Sequence, residues 1–223
     1  MNELLHGNCL SIIPKLKHNF FQTICTDVPY FILNKENVTT DFHTDIIQFN
    51  EFDNFKTYED YIQFIDQFVA LITQKMAQDS TFISFFATQY VTDLINIGKK
   101  YGLEYKNVLV WYKPNPMFRI RKTNFISSYE SIVMLIKGNP PFFYKNQNEM
   151  HNCIIQPLIS QKERIRFTKE DKKRIEDQLR AKLPPNSKKK IKISNSVHPT
   201  QKPIKLLKHL LSITTEPNAN VCD

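Results

Sequence analysis

Phe20-Phe21-Gln22-Thr23-Ile24-Cys25 runs directly into Thr26-Asp27-Val28-Pro29-Tyr30. The first six residues form a short apolar run of strand-forming types, and the next five break it with an acid, a proline and an aromatic. That order predicts a buried strand ending in a functional turn, because open parallel sheets place their ligands at the carboxyl ends of strands. Taken alone, the same letters could make a turn after a strand, with Asp27 as a cap and Tyr30 as a core aromatic.

The pattern on either side supports an α/β fold. Residues 8–16 carry Leu10, Ile12, Ile13 and Leu16 at the spacing of a short helix. Thr57, with Asp60 three residues on, opens a strong helix whose Tyr61, Ile65, Phe68, Leu71, Ile72 and Met76 form one apolar face. Residues 81–86, 107–111 and 130–136 read as strands, and 90–100 as a helix stopped by Gly102. A charged helix is expected from Thr168 to Leu183, ended by Pro184-Pro185, with the basic loop Asn186-Ser187-Lys188-Lys189-Lys190 behind it. Pro203 suits the first turn of another helix running to Ile213, and a last strand begins near Asn220. Strands alternating with helices predict a doubly wound α/β sheet with helices on both faces. Between 31 and 56 no periodicity is visible, which suits a lid or substrate loop.

The chain has 223 residues, enough for one domain with a sizeable core. Its four cysteines are scattered at 9, 25, 153 and 222, with no pair at metal-ligand spacing. No signal-like leader and no apolar run near the length of a membrane span is present, so a soluble, cytosolic protein without a membrane partner is expected. The net charge of +8 is confined to one segment. Residues 145–196 hold 14 Lys/Arg and 6 Asp/Glu, and the remainder balances at 16 of each. A surplus so placed favours a polyanion over a solvated face.

A second motif lies far downstream: His198-Pro199-Thr200-Gln201-Lys202-Pro203, then the helix, then Asn220-Val221-Cys222-Asp223. With Asp27-Val28-Pro29-Tyr30 ahead of it, the chain resembles the amino-group DNA methyltransferases whose catalytic motif precedes the cofactor motif. The resemblance implies a Rossmann-like methyltransferase sheet, S-adenosylmethionine as cofactor, and double-stranded DNA as partner. It implies that Asp27 and the main-chain carbonyl of Val28 hold the hydrogens of a base's amino group, with Pro29 and Tyr30 shaping and stacking the base. The family usually has Asp-Pro-Pro-Tyr, so Val28 keeps the carbonyl while losing proline's fixed φ. Asn8 and Cys9 stand where the family has an acid meeting the cofactor's adenine. His198, Thr200, Gln201, Lys202 and Asp223 are the other implied cofactor contacts. Trp111-Tyr112-Lys113-Pro114-Asn115-Pro116 and Ser128-Tyr129-Glu130 also fit the spacing of the family's core.

Arg119, Arg121 and Lys122, and the lysines at 188, 189 and 190, are the expected phosphate contacts, against a solvated loop as the plain alternative. The implied organisation is a catalytic α/β core at 1–144, a basic target-recognition insertion at 145–196, and the start of a cofactor-binding part at 197–223. The family's Pro-Phe-x-Gly-Ser-Gly loop, which follows the strand ending in Asp, is absent. The resemblance therefore implies a C-terminally truncated protein, with the cofactor-binding half largely missing. The expected reaction is methyl transfer to adenine N6 in DNA. Cytosine-N4 methylation and an inactive DNA-binding remnant are the alternatives. A restriction endonuclease system or a separate C-terminal half are the further partners implied.

Overall fold

The computed structural model describes residues 3–31, 55–117, 124–181 and 200–223. Its centre is a sheet of six strands: β1 (Phe21–Asp27), β2 (Met76–Phe86), β3 (Glu104–Tyr112), β4 (Tyr129–Lys137), β5 (Cys153–Ile155) and β6 (Val221–Cys222). Their spatial order is β5-β3-β4-β2-β1-β6. β1 runs parallel to β2 and to β6, β3 runs parallel to β5, and β4 is antiparallel to both its neighbours. The carboxyl ends of β1, β2 and β3 and the start of β4 therefore share one rim.

The expected helices form for the reasons read from the sequence. In α2 (Tyr58–Lys75) the capping box is complete: Asp60 N–H donates to Thr57 Oγ1, and Thr57 N–H donates to Asp60 Oδ2. α3 (Val91–Lys100) ends in a Schellman turn, with Gly102 at φ 80°, Gly102 N–H on Lys99 O and Leu103 N–H on Gly98 O. α5 (Ile204–Thr214) starts one residue later than expected. Pro203 is its N-cap rather than part of its first turn, and its carbonyl receives the first helical hydrogen bonds, from Leu206 and Leu207. α1 (Cys9–Ile12) is short, and α4 (Lys169–Ala181) covers the described part of the expected charged helix.

Helices lie on both faces of the sheet, as period-2 alternation of apolar residues requires. On one face Ile24, Phe82, Phe86, Val133 and Leu135 pack against α2 and α3. On the other, Cys25, Ile83, Phe85, Leu109, Trp111, Ile132 and Met134 pack against Leu206 and Leu210 of α5. α5 is tied to β1 by the fully buried Thr23, whose hydroxyl lies 2.9 Å from Thr215 Oγ1.

Two features of the sheet differ from the sequence reading. β2 begins at Met76, ahead of the expected 81, where it continues directly from α2. β5 was not anticipated, since three residues are too few to show a period. The segment 31–56, the residues 184–190 and His198 fall wholly or mainly outside the described residues.

Candidate active site

Strand alternation decides which side chains meet at the rim. Continuing the α5-facing column two residues at a time leads from Cys25 to Asp27, from Ile83 to Phe85, from Trp111 to Lys113, and from Ile132 back to Glu130. Each apolar column thus ends in a charged or aromatic side chain on the same face. Lys202 enters this cluster from the segment just ahead of α5.

The cluster is a continuous ion network. Lys202 Nζ lies 2.8 Å from Asp27 Oδ2 and 3.2 Å from Glu130 Oε2. Lys113 Nζ donates to Glu130 Oε1 at 3.2 Å. The Tyr30 hydroxyl donates to Glu130 Oε2, also at 3.2 Å. The Lys202 ammonium stands 5.2 Å from the centre of the Tyr30 ring and 5.1 Å from that of Phe85. Its side chain is 8% exposed, against 26% for Asp27 and 22% for Glu130.

Titration follows this geometry. Burial by itself would raise Glu130, but the Lys202 and Lys113 ammonium groups outweigh it and hold the carboxyl below its ordinary value. Burial, reinforced by the charges of Asp27 and Glu130, pushes the Tyr30 phenol well above its ordinary range, so it stays a neutral donor. Burial also pushes the Cys25 thiol up to about 12, with Asp223 and Asp27 adding to the effect. Asp27 on β1 and Asp223 just past β6 thus both lie within electrostatic reach of Cys25.

The turn after β1 is held from beneath. Phe31 has φ 53°, a left-handed conformation costing an ordinary residue roughly 1–2 kcal/mol. Its ring stacks on Tyr61 at 5.3 Å and 13°, within a cluster that also includes Phe55 and Tyr90. The Tyr61 hydroxyl donates to Pro29 O at 3.0 Å, and Val28 is buried in the same core. Packing from α2 thus offsets the strain and aims Asp27 and Tyr30 at the rim.

The family model for N6/N4-type DNA methylases matches residues 21–223. The chain belongs to this DNA methylase family. Among solved structures, the M1.HpyAVI complex with SAM is 19% identical, with 97% of this chain and 78% of that one covered at a TM-score of 0.56. The cytosine-N4-specific PvuII DNA methyltransferase is 15% identical, with coverage of 96% and 71% at a TM-score of 0.60. At these identities the likeness is one of fold.

Within this DNA methylase, the residues named from sequence fall into three groups. Asp27, Val28, Pro29, Tyr30 and Lys202 are brought together at the rim, and Asp223 lies just past the neighbouring strand β6. Gln201 holds the chain itself: its Oε1 accepts from Ile165 N–H and its Nε2 donates to Glu163 O. Thr200 gives its carbonyl to Lys202 Nζ at 3.5 Å. Asn8 caps α1, accepting from Leu10 N–H, and Cys9 packs half-buried against the α2 core. Arg119, Arg121, Lys122, Lys188, Lys189, Lys190 and His198 lie outside the described residues. Glu130, Lys113 and Phe85 received no role from sequence, although alternation from Ile132, Trp111 and Ile83 pointed to them. Among the described residues there is no cluster able to hold a metal ion and no helix long and apolar enough to cross a membrane.

Proposed function

We propose that this protein transfers a methyl group from S-adenosylmethionine to the exocyclic amino nitrogen of adenine in DNA. The observation that carries the reading is the Asp27 carboxylate on the rim of the sheet beside the half-buried Tyr30 ring, in a member of a DNA methylase family.

An exocyclic amino nitrogen is a poor nucleophile because its lone pair is delocalised into the ring. Asp27 accepts one amino hydrogen and the Val28 carbonyl accepts the other, which turns the lone pair out of the ring plane. Asp27 is then the base placed to take the proton that nitrogen sheds once it is alkylated. Tyr30 offers a face to a base extruded from the duplex, worth roughly 1–3 kcal/mol. Its neutral phenol, anchored on Glu130, fixes the ring's orientation.

The donor set suits the cofactor. When bound, S-adenosylmethionine supplies an electrophilic methyl group on a sulfonium cation. The rim already gathers the carboxylates of Asp27 and Glu130 and the faces of Tyr30 and Phe85 around a cation, and Asp223 follows β6 on the strand beside β1. Asp223 and Thr200 are assigned as cofactor contacts, while Gln201 and the amide oxygen of Asn8 hold the chain's own backbone. Arg119, Arg121, Lys122 and the lysines at 188–190 are assigned to DNA phosphates. Replacing those three lysines together should flatten the log–log salt dependence of DNA binding by up to ~3 units.

Adenine is assigned over cytosine because an acid at the first position of the Asp27 motif resembles the adenine-N6 members. The test is incorporation of tritium from labelled S-adenosylmethionine into genomic DNA, followed by nucleoside analysis. N6-methyladenine supports the reading, N4-methylcytosine replaces it with the sister reaction, and no incorporation leaves a DNA-binding remnant. Asp27→Ala should abolish incorporation while sparing DNA binding.

A further inference from the structure

The Lys202 ammonium occupies a position with a chemical meaning. Its N–H groups point to the carboxylate that the reading above assigns to the target amino group, 2.8 Å from Asp27 Oδ2. They also stand over the Tyr30 ring assigned to the target base. An exocyclic amino group presents N–H donors to an acceptor at the same range of distances. In the free protein, then, the acceptor and the stacking face are both covered by the protein's own side chain.

We propose that Lys202 stands in for the target amino group, filling its place on Asp27 until a base enters and then withdrawing to Glu130. The inference rests on the amino-methylation reading and adds to it the order of events at the site.

Glu130 is built as the second seat. Its Oε2 already lies 3.2 Å from Lys202 Nζ and accepts from the Tyr30 hydroxyl, while Oε1 holds Lys113. Two cations keep Glu130 ionised despite its burial. Lys202 can therefore leave Asp27 without becoming an unpaired buried charge, which would be the costly outcome. The move is short, since both carboxylates are already in contact with the same ammonium.

Lys202 faces Asp27 from the segment before α5, Glu130 from β4, and Tyr30 from its own turn. Lys113, just past β3, acts through Glu130. Removing Lys202 takes away the ammonium that fills the place of the target amino group on Asp27.

Lys202→Met and Lys202→Arg test the stand-in from opposite sides. The first measurement is the affinity of the full chain for DNA, with no cofactor added. The second is kcat and KM for DNA methylation. In Lys202→Met, DNA affinity should hold or rise and KM for DNA should hold or fall, because no ammonium then has to be displaced from Asp27. Lys202→Arg should raise KM for DNA several-fold, because a guanidinium grips a carboxylate with two parallel bonds. Weaker DNA binding in Lys202→Met than in the wild type overturns the stand-in. Equal loss of kcat in both variants, with KM for DNA unchanged, overturns it as well. A wild-type protein that methylates no DNA overturns instead the reading on which the inference rests.

Discussion

Glu130→Gln keeps the volume of the side chain and removes the charge at the middle of the rim network. Lys202 retains Asp27, but Lys113, with a side chain 10% exposed, loses the carboxylate 3.2 Å away. Removing one partner of a fully buried pair costs ~3–5 kcal/mol. Glu130 keeps 22% of its side-chain exposure, so water relieves part of that cost, and about 2–3 kcal/mol is expected. That is roughly a 30- to 150-fold change in the unfolding equilibrium. The assay is urea unfolding followed by the single tryptophan, Trp111, which is buried with its ring 5.5 Å from Lys113 Nζ. Glu130 has its proton affinity lowered by folding, so its contribution is present above the ordinary value of 4.5 and is lost as pH falls through the lower folded value. The gap between wild type and variant should therefore be full near neutrality and close in acid. Lys113→Met combined with Glu130→Gln should recover part of the loss, since no ammonium is then stranded. Equal urea midpoints at neutral pH, or a gap that persists unchanged in strong acid, would refute the reasoning.

Thr57→Ala removes half of the capping box and should lower stability by about 1 kcal/mol in a thermal or urea melt. Gly138→Ala should be worse than its small size suggests, at about 2 kcal/mol or more. Gly138 has φ 66°, and a Cβ there would meet Asp79 Oδ1 and come within 2.5 Å of Gln78 O; a melt within 0.5 kcal/mol of wild type would contradict this. In the native protein at pH 8, Cys153 should alkylate with iodoacetamide while Cys25 stays unmodified, because Cys153 is exposed and burial holds Cys25 in its thiol form. Peptide mass spectrometry reads both sites at once, and early loss of the Cys25 thiol would count against the packing of the α5 face.

Legibility differed from residue to residue along the chain. Thr57, Asp60 and the stripe from Tyr61 to Met76 announced α2, because caps and helical spacing are local properties that survive in one dimension. Gly102 announced the end of α3 for the same reason, since its left-handed turn needs no distant partner. The polar letters Gln78 and Asp79 hid the first half of β2, whose pairing with β1 and β4 comes from outside the segment. Pro203 was placed one position too far into α5, within the ordinary scatter of helix boundaries.

By itself, then, the sequence determined the elements, the two-faced α/β plan and the acid-proline-aromatic turn after β1, all of which follow from short-range periodicity and turn chemistry. Direction was left to the tertiary structure. Alternation is the same read forwards or backwards, so nothing local showed that β4 runs antiparallel and brings its first residues to the rim. That reversal carries Glu130 to Asp27 and Tyr30, and the docking of α5 carries Lys202 into the same place. A charge network of this kind depends on distances between residues far apart in the chain. Only the folded sheet, with its strand order and the hand of each strand, sets those distances.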